Sequence, residues 1–228
     1  MKAKTQAVLD ELDARIAARS ILSHPFYRAW SAGELTRADL AIYARVYYPH
    51  VAGFPAHLES AAARAELPAV RAELLSNLHE ERAVPAPHAD LWLGFAAAVG
   101  CDPAAVAACA PEPAAERTVA EFRRLCGGST GAALAALYAY ESQQPEVSRR
   151  KEEGLREHYG VSDPEALGYF RVHAEADLRH RAGERQALAA CLDAGEPTGE
   201  VLAAADAALT AYWGLLDGVS EQIAAAAP

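Results

Sequence analysis

Apolar residues recur three and four positions apart along almost the whole chain, and nothing alternates with period two for long. That spacing lays one apolar stripe along a helix, so the chain predicts helices and no sheet. The stretches that carry it run near 3–18, 37–64, 68–82, 87–99, 114–125, 130–143, 145–158, 163–194 and 199–224, with a short turn at 25–31. Thr36 followed by Asp39 opens one segment and Pro68 another. Asp102-Pro103 and Glu112-Pro113 mark further starts, with Gly100 and Gly127-Gly128 as stops. Ser162-Asp163-Pro164-Glu165 combines a serine cap, an early proline and a glutamate at the third helical position, which predicts a helix from 163. The alanine-rich runs Ala132 to Ala139 and Ala203 to Ala208 are helix formers that let neighbouring backbones approach closely. Connections are short and the composition does not shift, so residues 1–228 are expected to form a single all-α domain.

One stretch sits awkwardly with a packing role. HAEADLRH places His173, Asp177 and His180 at i, i+4 and i+7, on one helical stripe about 60° wide. Phe170 lies on that stripe one turn earlier and Glu184 continues it one turn later. The opposite side is charged too, at Glu175 and Arg179, so the pattern leaves open whether this is a solvated face or a metal-binding one. Two other segments hold partners of the right chemistry. In NLHEERAVPAPH, Glu81 ends one helix and His88 starts the next, and Pro85 and Pro87 require a bend to bring them together. In ALYAYESQQPE, Glu141 follows an almost wholly apolar helix. It is either buried, needing a cation or hydrogen bond, or lies at the solvent end before Pro145.

Composition narrows the field. A net charge of −10 argues against nucleic acid, where basic residues supply most of the affinity. No uncharged apolar run reaches the length of a membrane span. The segment MKAKTQAVLDELDARIAARS is amphipathic and carries acidic residues, unlike a signal peptide or a mitochondrial presequence. Cys101, Cys109, Cys126 and Cys191 are scattered without CxxC spacing, as expected of reduced packing cysteines in a cytoplasmic protein.

Four segments together resemble the CADD family, the chlamydial proteins associating with death domains and their bacterial relatives. They are HPFYRAWSAGELTRADLAIYARVYYPHVAGFPAHL (24–58), NLHEERAVPAPHADLW (77–92), ALYAYESQQPEVSRRKEEGLREHYG (136–160) and HAEADLRHRAGE (173–184). The resemblance implies a heme-oxygenase-like dimetal oxidase, a bundle of about seven main helices and, by analogy only, a homodimer. Thiaminase-like and pyrroloquinoline-quinone-synthase-like proteins share that fold without this ligand set. Carried over residue by residue, the family's metal ligands fall on Glu81, His88, Glu141, His173, Asp177 and His180. Three imidazoles and three carboxylates suit two iron or manganese ions better than zinc, which favours four ligands. Between Glu81 and His88 the chain is rich in proline and alanine where relatives are expected to be polar and glycine-containing, although the separation is kept.

The resemblance further implies a self-sacrificing oxygenase that makes p-aminobenzoate for folate synthesis. Its cofactor is two divalent ions, Fe/Fe or Fe/Mn, with O2 as co-substrate and an external reductant. The matching positions are Tyr27, the side chain consumed, Lys151, the amino donor, and Tyr43, a relay or alternative substrate. On the residues alone the readings are plainer. Tyr27 packs beside Phe26 and Trp30, Tyr43 and Tyr47 form a core stripe, and Lys151 lies in RRKEE, ordinarily a solvated face. Glu184 either orients a ligand histidine or is an ordinary helix charge. Two alternatives stand beside this expectation: a multiple-turnover oxidase acting on an external small molecule, and a protein-interaction module of the same fold.

Overall fold

The computed structural model describes residues 2–83 and 85–226. They form eleven α-helices and one short 3-10 turn, with no strand among the described residues. In chain order these are α1 (Ala3–Ala18), the 3-10 turn (Ile21–Ser23), α2 (Pro25–Ala32), α3 (Arg37–Arg64), α4 (Pro68–Ala83) and α5 (His88–Ala98). After them come α6 (Pro103–Ala108), α7 (Pro113–Cys126), α8 (Thr130–Glu141), α9 (Gln144–Glu157), α10 (Gly168–Ala194) and α11 (Thr198–Ala226).

Local chemistry caps several of the helices. Thr36 and Asp39 form a reciprocal capping box at the start of α3. Pro49 and Pro55 each remove a main-chain donor inside that helix. It continues through both because Tyr43, Tyr47, Val51, Phe54 and Leu58 bury one unbroken face. The turn expected at 25–31 is instead the two-turn helix α2. His24 replaces the usual serine or aspartate cap, its Nδ1 accepting from the Phe26 N–H at 3.0 Å, and Gly33 closes the end at φ 71°. Asp102-Pro103 opens a helix of its own, α6, which periodicity alone was too short to define.

The expected start of α10 at 163 is corrected. Asp163, not Ser162, supplies the cap by accepting from the Glu165 N–H, and Pro164 to Leu167 make a single turn. The long helix begins at Gly168.

Helix α8 sits at the centre, buried almost throughout and packed on α3, α7, α10 and α11. Its alanines permit that crowding, because a methyl side chain keeps neighbouring axes close. Helix α10 crosses it and also packs on α4, α5 and α9. Four helices that carry candidate ligands, α4, α5, α8 and α10, therefore converge on one interior.

Candidate metal centre

All six carried-over positions are buried, and the structure gathers them into two groups. Glu81, His88 and His173 present ligand atoms within 4.8 Å of one another, and Glu141, Asp177 and His180 do the same. Helix α10 thus serves both groups, giving His173 to one and Asp177 and His180 to the other. Glu141 is the last residue of α8 and is 2% exposed, so it does not face solvent before Pro145.

In the first group, Glu81 Oε1 lies 2.8 Å from His88 Nδ1 and 3.6 Å from His173 Nε2. The His173 Nδ1–H donates to the Tyr169 carbonyl at 2.7 Å, which fixes the ring and aims Nε2 into the group. Burial alone would raise Glu81, but His173 and His88 outweigh it and hold the carboxyl near 2. In the second group, His180 Nδ1 lies 3.1 Å from Asp177 Oδ1 and 3.4 Å from Glu141 Oε1. Its Nε2–H donates outward to Glu80 Oε2 at 3.3 Å. Asn77 Nδ2 donates to both Glu141 oxygens, at 3.0 and 3.2 Å. Burial lowers His180, yet Asp177 and Glu141 outweigh it and raise the imidazole to about 11. The protein alone therefore holds a proton where these carboxylates call for a cation.

The donor set fits metal. Asp177 Oδ2 is fully buried without a hydrogen-bond partner, an acceptor that a cation would satisfy. Nitrogen and carboxylate oxygen in equal number suit iron or manganese. A small cavity touches both groups, lined by Glu81, His173 and Glu141 with Val51, Tyr140 and Tyr169. Glu184 is buried one turn beyond His180. Burial, then the neighbouring Glu141 charge, pushes its carboxyl well above the usual range, so it is no ordinary surface charge.

Tyr27, Tyr43 and Lys151 form a separate cluster. Lys151 is 2% exposed. Its Nζ donates to the Tyr43 hydroxyl at 2.5 Å, and the Tyr27 hydroxyl lies 3.3 Å from that same oxygen. The Nζ stands 4.9 Å from the centre of the Tyr27 ring. Burial alone pushes the Lys151 amine well below the ordinary lysine range. The solvated-face expectation for RRKEE holds for its neighbours only. Val147, Lys151, Gly154 and Leu155 make the inward stripe of α9, while Arg149, Arg150 and Glu153 face out.

No hydrogen bond or ring contact joins Tyr27 directly to any of the six among the described residues. Packed rings span the gap: Tyr27 meets Tyr43, Tyr43 meets Tyr47 at 5.1 Å, and Tyr47 stacks on Trp92 at 4.9 Å. Trp92 meets Tyr169 at 4.8 Å, and Tyr169 stacks on His173 at 4.0 Å. Sequence reading missed Trp92, Tyr169, Asn77 and Glu80. Asn77 and Glu80 lie one turn and one residue before Glu81, and that register was the available signal. Of the unassigned histidines, His24, His50 and His57 are buried and His79 and His158 exposed.

The fold has counterparts. A heme oxygenase-like domain from Shewanella denitrificans OS217 superposes with a TM-score of 0.80 at 21% identity, covering 94% of this chain and 93% of that one. A CADD-like protein from Nostoc punctiforme PCC 73102 gives 0.80 at 20% identity, covering 100% and 99%. The fold is therefore heme-oxygenase-like. Residues 41–213 match the family described as iron-containing redox enzymes, and the chain belongs to that family. Its curated relatives include the 4-aminobenzoate synthase of Chlamydia muridarum, 42% identical over 93% of this chain and 90% of that protein. The 4-aminobenzoate synthase of Nitrosomonas europaea is 36% identical over 97% and 94%.

Proposed function

We propose that this protein makes 4-aminobenzoate from its own Tyr27 side chain, once per chain, with Lys151 as the amino donor. The observation that carries this reading is the buried cluster in which an amine without a counter-charge stands against the Tyr27 ring. Iron, alone or with manganese, would be held by Glu81, His88 and His173 and by Glu141, Asp177 and His180. Bound there, it would supply the reduction of O2 with electrons from an external reductant.

Tyrosine already has the skeleton of the product, a ring with para substituents. An amino group must replace the ring hydroxyl, which leaves as water, so the Lys151 Cε–Nζ bond must break; the Cα–Cβ bond must break too, and Cβ must be oxidised to the carboxylate carbon with O2 as oxidant. The protein's own groups are placed for this. Burial lowers the amine pKa and so favours the Nζ lone pair, the form in which lysine is a nucleophile. The Tyr43 hydroxyl bridges that nitrogen and the Tyr27 hydroxyl, so a proton can pass between them without water. Trp30 Nε1–H donates to the Lys151 carbonyl at 3.3 Å and fixes α2 against α9. Holding amine and ring in contact replaces a bimolecular encounter by a fixed geometry. The packed rings from Tyr43 to Tyr169 offer an electron a continuous path between Tyr27 and His173. The setting is the cytoplasm, in keeping with four unpaired cysteines among the described residues.

The test uses protein labelled with 13C-tyrosine, supplied with reduced iron and manganese in air. The label is expected in 4-aminobenzoate from the unaltered chain and product is expected to vanish in Tyr27→Phe. Unlabelled product would assign the reaction to an external substrate, and an unchanged yield of labelled product from Tyr27→Phe would move the ring source to another tyrosine of the chain.

A further inference from the structure

Beside Tyr27, the surface between α2 and α9 opens into a cleft of about 510 Å³. Tyr27 is part of its wall, and Arg28, Ser31, Glu146 and Arg150 line it. The Tyr27 hydroxyl points the other way, into the core, where it meets Tyr43. Arg28, Ser31 and Ala32 show that the outer face of α2 is the cleft face. With the hydroxyl held in the core, the main-chain end of Tyr27 is the end nearer that outer face.

Two arginines line it in a protein whose net charge is −10. Arg28 has no side-chain partner among the described residues. Arg150 bonds Glu146 at 3.0 Å and Glu153 at 3.4 Å, in pairs more than half exposed to solvent at the arginine. Exposed pairs of this kind are weak and exchange partners readily. The one carboxylate lining the cleft, Glu146, is also neutralised by Arg149 at 2.8 Å. The cleft thus offers a free guanidinium and a second that can change partners.

Resting on the reading that Tyr27 is the ring source, we propose that this cleft is a binding subsite for an aromatic carboxylate. Arg28 and Arg150 receive the carboxylate formed from Cβ, while the amino end of the product still lies toward Lys151. The product leaves carboxylate first, between α2 and α9. Guanidinium suits this task because its flat array of donors matches both oxygens of a carboxylate.

The test needs no turnover. Tyr27→Gly opens a ring-sized space behind the cleft, and 4-aminobenzoate and the neutral 4-aminobenzamide are titrated into it by ligand-observed NMR. The carboxylate is expected to bind about tenfold tighter than the amide. Arg28→Ala and Arg150→Ala should each weaken it roughly threefold and the pair about tenfold, with Arg28→Lys recovering part of the loss. Added salt should weaken the carboxylate only. Equal affinity for acid and amide, or no loss in the double variant, would overturn the proposal. The same titrations on the unaltered chain read the cleft alone, with the same ranking expected at lower affinity, so the test survives a Tyr27→Gly protein that does not fold. Failure of Tyr27 as the ring source would appear in the labelling experiment and leave these titrations unaffected.

Discussion

Replacing Lys151 with methionine is expected to abolish product and yet stabilise the fold. Methionine matches the length and shape of the lysine side chain without its polar head. The wild-type amine is 2% exposed and has one hydrogen-bond partner, the Tyr43 hydroxyl at 2.5 Å. Losing that bond costs about 1 kcal/mol, while removing a buried amine with an unsatisfied N–H gains about 1–3 kcal/mol. Tyr43 is not orphaned, because the Tyr27 hydroxyl lies 3.3 Å away. The balance is a gain of roughly 1 kcal/mol where the amine is neutral, and more where it must be charged. The sign with pH follows from the lowered lysine value. Between the folded value and the ordinary 10.5, the unfolded chain binds one proton more than the folded one. Wild-type stability therefore rises with pH in that window, by up to about 1.4 kcal/mol per unit, and the variant lacks this rise. Its advantage is greatest in acid and shrinks toward 10.5. Urea unfolding of both metal-free proteins from about pH 6 to about pH 10 measures the difference. A variant less stable at every pH, or an advantage independent of pH, would mean that Lys151 is ionised and paired, which contradicts the role given to it.

Glu81→Gln and Glu141→Gln are each expected to lower bound metal from about two ions per chain to about one, read by elemental analysis of reconstituted protein. Full occupancy in both would remove these carboxylates from the centre. Asn77→Ala should weaken metal binding roughly tenfold or more without touching a ligand, because Glu141 loses the amide that donates to both its oxygens; competition with a chelator measures it. Gly154→Ala would place a Cβ 2.7 Å from Trp30 Nε1, and is expected to cost about 1–3 kcal/mol in unfolding experiments and to reduce product by displacing α2.

Much of the fold was legible because helical spacing recurs from α1 through α11 and a cap or a proline marks the starts of α3, α4 and α7. What escaped was short or capped in an unusual way: α2 is held by a histidine cap, α6 spans little more than a turn, and α10 starts after an isolated turn at Pro164. The periodic stripe at His173, Asp177 and His180 was visible, but its division between two groups was not. That division depends on where Glu81, His88 and Glu141 arrive from three other helices. Lys151 shows how composition misleads. The run RRKEE reads as solvent-facing, and only its register with Val147 and Leu155 turns Lys151 inward. Glu80 and Asn77 were hidden for the opposite reason: nothing marks a residue that orients a ligand until the ligand's free atoms are located.

Whether the chain consumes its own side chain is tested most directly by mass spectrometry of the protein after reaction. Aerobic incubation with reduced iron and manganese should leave a chain altered at Tyr27, with no more than one 4-aminobenzoate per altered chain. Several molecules of product per chain, with Tyr27 and Lys151 intact in the peptide map, would contradict it.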